Sequence, residues 1–210
     1  MKEEEYLDRI ILALREKYRQ SKSEHEPVGK EIQIGVNKVP LYREILFDGK
    51  CSMMLPDTMK DINYLDSTVK YRSKNRPQVI KTDDYGEASV TFNLLPLSDR
   101  EKEERILSVL EHIRRDMKKV WKQNVFYELA EIMAGELAVA WMDFRAFCLD
   151  GSLYSMIFIF RMEEQLVMGN FHCSFPQYDV WKPVLLKLLT TIQVDVQDEQ
   201  KRGNNERISN

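Results

Sequence analysis

VFYELAEIMAGELAVAWMDFRAFCLDGSLYSMIFIFRMEEQLVMGNFHCSFPQYDVWKPVLLKLLTTI, residues 125–192, is the stretch whose reading decides the fold. It divides into four strand-length runs, Val125–Met133, Glu136–Leu149, Leu153–Met162 and Gln165–Phe175, broken at Ala134-Gly135, Asp150-Gly151 and Glu163-Glu164. The middle two runs are apolar on both sides: Val139 and Trp141 oppose Ala140 and Met142, and Ile157 and Ile159 oppose Met156 and Phe158. Such strands need cover on both faces. In the last run Val167, Gly169, Phe171, Cys173 and Phe175 share one side. The first run is ambiguous, because Phe126, Leu129, Ala130 and Met133 also suit a helix. The stretch closes on an amphipathic helix with Trp181, Val184, Leu185, Leu188, Leu189 and Ile192 on its apolar face. Pro183 requires that helix to begin shortly before it, near Gln177 or Asp179.

Upstream, Glu31–Val39 alternates as one strand through Ile32, Ile34 and Val36. Tyr42–Phe47 and Cys51–Leu55 flank Asp48-Gly49, a strong hairpin signal because both turn residues tolerate positive φ. A helical turn is expected near 66–71, and a strand pair at Gln78–Thr82 and Ala88–Leu95. Ser98 and Glu101 have capping-box spacing and open a helix whose stripe is Ile106, Leu110, Ile113, Met117 and Val120. Residues 3–20 read as a further helix, with Leu7, Ile10, Ile11, Leu14 and Tyr18 along one face and charge on the other. A polar break containing Pro27 and Gly29 separates it from the body. The expected organisation is an extension over 1–24, one α+β domain over 30–194, and a disordered polar tail over 195–210.

Composition narrows the function classes. The chain has 210 residues, enough for one good core, and 31 basic against 34 acidic residues, a formal charge of -3. That balance lacks the basic footprint of nucleic-acid binders. The N-terminus is acidic where a signal peptide is basic, and no run approaches the ~18 apolar residues of a membrane span. Cys51, Cys148 and Cys173 contain no CxxC spacing and read as reduced thiols, which points to the cytoplasm.

No catalytic constellation is visible. His25, His112 and His172 lack partners at ligand spacing, and His172 and Cys173, adjacent on a strand, point to opposite faces. No GxSxG, GxxxxGK[ST] or GxGxxG occurs. Neither a metal, a cofactor nor an enzymatic activity is expected. The aromatics are the remaining lead. Trp121, Trp141 and Trp181 read first as core residues; the alternative is that Trp141 and Phe144, with Tyr154, Met156 and Phe158, line a concave sheet face that accepts an apolar helix or ligand. Ten methionines favour an adaptable surface.

The order of elements, with CSMMLPDTM (51–59), YRSKNRPQVIKTDDYGEASVTFNL (71–94) and the hairpin-to-helix region from LDGSLYSMIFIF (149–160) through MGNFHCSF (168–175) to Trp181, resembles the PsbP/DcrB-like superfamily over about residues 40–193. The resemblance implies an antiparallel sheet with helices packed against it. It also implies a non-enzymatic role, since similar members are photosystem subunits, a small-GTPase cofactor, lipoproteins and cytosolic chaperones of type VI secretion effectors. Without a lipobox, the bacterial adaptor or chaperone branch is the one left open. The expectation is therefore a protein-binding module for an apolar client segment, with a small apolar-ligand carrier or sensor as the alternative. The stripe Leu7, Ile10, Ile11 and Leu14 either packs on the body or serves a partner, including a second copy in a homodimer.

Overall fold

The computed structural model describes residues 28–62, 76–149 and 151–194. The stripe at 3–20, the turn near 66–71 and the tail at 195–210 lie outside the described residues. Among those described, β1 (Glu31–Ile34), β2 (Asn37–Leu46), β3 (Cys51–Pro56) and the short β11 (Gln193–Val194) make a four-stranded antiparallel sheet in the order β1-β2-β3-β11. A larger sheet runs β4-β5-β6-β10-β9-β8-β7 from β4 (Lys60–Asp61), β5 (Val79–Thr82), β6 (Ser89–Pro96), β7 (Val125–Ala134), β8 (Leu137–Cys148), β9 (Gly151–Met162) and β10 (Gln165–Ser174). Three α-helices occur among the described residues: α1 (Asp99–Glu103), α2 (Ile106–Val120) and α3 (Tyr178–Leu189).

The two-faced strands are covered on both sides. One core joins the small sheet and α3 to Val139, Trp141, Tyr154, Met156, Phe158 and Phe171 of the large sheet. The other packs Ile106, Val109 and Leu110 of α2 on Ala140, Met142, Phe144, Ile157 and Ile159. Lys81 ties the sheets together: only 5% exposed, it pairs with Glu44 at 2.8 Å and Asp61 at 2.9 Å.

Several details depart from the sequence reading, each for a local reason. The expected strand 31–39 turns at Gly35, which takes φ +58°, so Val36 faces solvent although its alternation looked inward. The Asp48-Gly49 turn forms as expected, with φ +58° and +88° and the Lys50 N–H donating to the Phe47 carbonyl. The helix opened by Ser98 is two helices. Its capping box is present, but Glu104 and Arg105 are extended, because Arg161 of β9 donates to the Glu101 and Glu104 carbonyls that an unbroken helix would use. The ambiguous run 125–133 is a strand carrying a bulge between Phe126 and Leu129. One inserted residue leaves Phe126 and Leu129 on the same face three positions apart, which imitates helical spacing. α3 starts at Tyr178, behind a 3-10 turn at Phe175–Gln177, so Pro183 is the sixth of its twelve residues and sits inside the helix, not in the first turn that the sequence reading required.

Candidate binding groove

The α2 stripe outruns its cover. Ile106, Val109 and Leu110 are buried, whereas Ile113 and Met117 are half-buried and Val120 is exposed. Beneath this far half of the helix, a groove of about 600 Å³ opens between α2 and the large sheet. Ile113 and Met117 form its roof; Phe144, Ala146, Ile157 and Met168 supply apolar floor; and Trp121, Gln123, Asn124 and Phe147 surround the mouth. Trp121 and Phe147 are 45% and 43% exposed, an uncommon state for side chains of that size. Asn170 also lines the groove, and its side-chain oxygen is buried without a hydrogen-bond donor. An unmet acceptor among apolar walls is costly unless something arrives to donate. The Phe147 N–H reaches the Asn124 side-chain oxygen at 3.4 Å, which fixes the lip of the groove to the loop after α2.

Behind Phe147 lies a cluster of rings. The Arg145 guanidinium is 4.8 Å from the Phe147 ring and 4.1 Å from that of Phe175, and its Nε donates to Ser152 Oγ at 2.9 Å. Phe175 stacks on Tyr178 at 5.5 Å and approaches Tyr127 at 6.5 Å.

The aromatics singled out from the sequence do not form one surface. Trp141, Tyr154, Met156 and Phe158 belong to the core beneath α3 and the small sheet, while Phe144 lies on the opposite face as part of the groove floor. All five are at most 5% exposed. Strand parity places 141 and 144 on different faces, and the second sheet fills the concavity expected over the other four. Leu7, Ile10, Ile11 and Leu14 lie outside the described residues. Residues that line the groove, Trp121, Phe147, Met168 and Asn170, were missed as a site. The available signal was a helix stripe running on to Trp121 above strand positions that turn polar at Asn170 and His172.

The buried polar groups are occupied with structure. Asp143, 1% exposed, accepts from the Glu128 N–H at 2.8 Å and from the Tyr154 hydroxyl at 3.2 Å, and pairs with Lys182 at 2.7 Å. Lys182 also reaches Glu128 at 2.8 Å. Burial works against the Lys182 charge, but the bonds to Asp143 and Glu128 outweigh it and hold the ammonium above its ordinary range. Burial, then Asp143, pushes the Tyr154 phenol up. Burial, with a smaller contribution from Asp83, pushes the Cys173 thiol up to about 12, so near neutrality it is not a thiolate nucleophile. No group of three or more His, Cys, Asp or Glu able to hold a metal occurs among the described residues. No helix among them is long and apolar enough to cross a membrane.

No family model matches the chain, and no curated protein matches it either. Solved structures do. The cyanobacterial PsbP (CyanoP) of Synechocystis sp. PCC 6803 is similar at TM-score 0.56 and 10% identity, over 81% of this chain and 99% of that one. The Ran-binding protein Mog1p of Saccharomyces cerevisiae is similar at TM-score 0.51 and 9% identity, over 74% and 96%. The likeness is one of backbone architecture, and it agrees with the resemblance read from the sequence: the chain has the PsbP-like fold.

Proposed function

We propose that this protein is a non-catalytic protein-binding module, a cytosolic adaptor or chaperone whose groove between α2 and the large sheet seats an apolar segment of a client. The groove itself carries the reading: apolar walls, two half-exposed aromatic lips and one unsatisfied acceptor form a surface suited to binding. An open slot under a helix fits side chains projecting from a bound segment. Met117 and Met168 supply walls that adapt to different side chains. Mog1p, described as Ran-binding, supports the reading by showing that the fold serves protein binding in at least one neighbour. The stripe Leu7, Ile10, Ile11 and Leu14 belongs to the same proposal as a second contact, for a partner or for a second copy of the chain; light scattering with and without residues 1–24 tests it.

A small apolar ligand is the second reading, because about 600 Å³ also lies within the size range of small-molecule sites. One experiment separates the two. A photo-crosslinking residue is placed at Met168 in the groove and, as control, at Met133, which is exposed on β7. The client reading expects one dominant peptide adduct from position 168 and none from 133, identified by mass spectrometry. A retained small molecule in native mass spectra, with no peptide adduct, decides for the carrier. Equal, diffuse labelling from both positions contradicts both.

A further inference from the structure

Five of the large apolar side chains that this protein leaves exposed gather at one end of it. Val120 and Trp121 end α2, Val125 opens β7, and Phe147 and Leu149 stand at the tip of the β8–β9 hairpin. Contacts between the two segments put them together. Val125 pairs with Arg145 in the β7–β8 ladder, the Phe147 N–H reaches the Asn124 side chain, and Trp121 and Phe147 border the same groove. Val120 is 70% exposed and Leu149 is fully exposed, so the core uses neither. Lysines stand among them. KKVWK, residues 118–122, sets an apolar pair between basic residues, and all five are exposed. Residues 114–125 hold five bases, Arg114, Arg115, Lys118, Lys119 and Lys122, against one acid, Asp116, which Lys119 already binds at 2.7 Å. The hairpin tip adds one further acid in sequence, Asp150. This local excess runs against the chain's formal charge of -3. Lys118 and Lys119 also offset the negative end of the α2 dipole, but that role leaves the apolar side chains beside them unexplained.

We propose that this end of the molecule docks on an anionic lipid membrane surface. Leu149, Val120 and Trp121 enter the headgroup layer, and Lys118, Lys119, Lys122 and Arg115 meet the anionic lipid headgroups. Docking here is independent of what the groove seats. A lone leucine at a hairpin tip gives a protein partner little area unless a pocket is shaped for it, whereas a bilayer takes it in without any matching shape. Tryptophan suits the boundary, with an apolar body and a polar N–H. The lysines beside it can bury their stems and keep their ammonium groups at headgroup level. The chain's overall negative charge opposes this only from a distance: beyond a Debye length of about 8 Å it is screened, while lysines at the surface act in full. The mode is attachment at the surface, since no helix among the described residues is long and apolar enough to cross a membrane.

Flotation of the full chain with unilamellar vesicles tests this, with phosphatidylcholine alone compared with phosphatidylcholine mixed with phosphatidylserine, at low and high salt. The proteins are the wild type, Leu149→Ser, the triple variant Lys118→Gln, Lys119→Gln, Lys122→Gln, and Met133→Ser, which removes an exposed apolar side chain at the far end of the β7–β8 pair. Thermal melts verify each fold; a double variant, Arg115→Gln with Lys122→Gln, stands in if the triple does not fold. The wild type is expected to float with the mixed vesicles and not with phosphatidylcholine alone, and to be released by high salt. The triple variant is expected to lose about 100-fold in affinity, at roughly 5-fold for each lysine near an anionic surface. Leu149→Ser is expected to lose about 10-fold, and Met133→Ser to bind as the wild type does. No flotation with the mixed vesicles overturns the proposal, and so does equal flotation of the wild type, the triple variant and Leu149→Ser. Binding to polyglutamate or a single-stranded oligonucleotide as tight as to vesicles, lost in the triple variant and kept in Leu149→Ser, reassigns the lysines to a soluble polyanion and also overturns it. The groove reading survives each of these outcomes, because its crosslinking test uses no lipid.

Discussion

A carboxylate in the middle of the strand Leu137–Cys148 requires a reason, and Asp143 has three. The bulge in β7 leaves the Glu128 N–H without a strand partner, and Asp143 accepts it. The Tyr154 hydroxyl and the Lys182 ammonium bind the other oxygen, so one buried side chain fastens β7, β9 and α3 to β8. Burying a lone carboxylate costs far more than such a network returns, so the network is stable only complete. Asp143→Ala is therefore expected to cost about 3–5 kcal/mol, since it strands an N–H and a hydroxyl and leaves the Lys182 ammonium with Glu128 as its one carboxylate. Lys182→Ala is expected to cost less, because Asp143 keeps two donors. Denaturant midpoints measure both, and a loss below about 1 kcal/mol for Asp143→Ala would refute the role of the network.

The element that best explains the large sheet is β10, through a glycine. Gly169 lies opposite Phe158 across the β9–β10 ladder, and a Cβ there would fall 2.0 Å from the Phe158 ring. The ring thus occupies the space a side chain would take, an aromatic covering a strand glycine. Gly169→Ala must push Phe158, which is 0% exposed, out of its packing, at a cost of about 1–3 kcal/mol or more by chemical denaturation. Unchanged stability would mean that the ring moves aside freely. Elements also show where sequence is readable. The two-faced strands β8 and β9 were legible because parity alone assigns their residues to faces. The split of the helix after Ser98 was not, because its cause, Arg161, comes from another strand 57 residues away. The bulge hid β7 for the same reason, since its spare N–H is satisfied by Asp143 of β8. Two-residue β11 is too short to leave any pattern. The groove was the least legible feature. Whether Met117 and Met168 are core or surface depends on how far α2 extends beyond its cover, which only packing decides.

At the scale of the whole molecule, buried titratable groups set a pH limit. Lys182, Tyr154 and Cys173 all have folded values raised above their free ones, and Lys81 joins them, since its bonds to Glu44 and Asp61 outweigh the desolvation that opposes its charge. A raised folded value means that the native state holds its proton longer than the unfolded chain. The contribution is complete below the unfolded value and disappears as pH rises through the folded one. With unfolded values near 8.5 for cysteine and about 10 for tyrosine and lysine, stability is expected to decline from about pH 8.5 and more steeply above 10. Urea midpoints at pH 7, 9 and 10.5 check this, and a flat profile would contradict it. The same sandwich that buries these groups leaves the end of α2 unsupported, so in this protein a sealed core stands beside an open slot. Of its three tryptophans, Trp141 and Trp181 are buried and Trp121 stands at the slot's mouth. Acrylamide quenching of tryptophan fluorescence, with and without the client peptide recovered by crosslinking at position 168, therefore reads the groove directly. The account predicts one readily quenched tryptophan in the free protein, protected and blue-shifted on binding, with both effects absent in Trp121→Phe. Client binding that leaves Trp121 as accessible as before would contradict it.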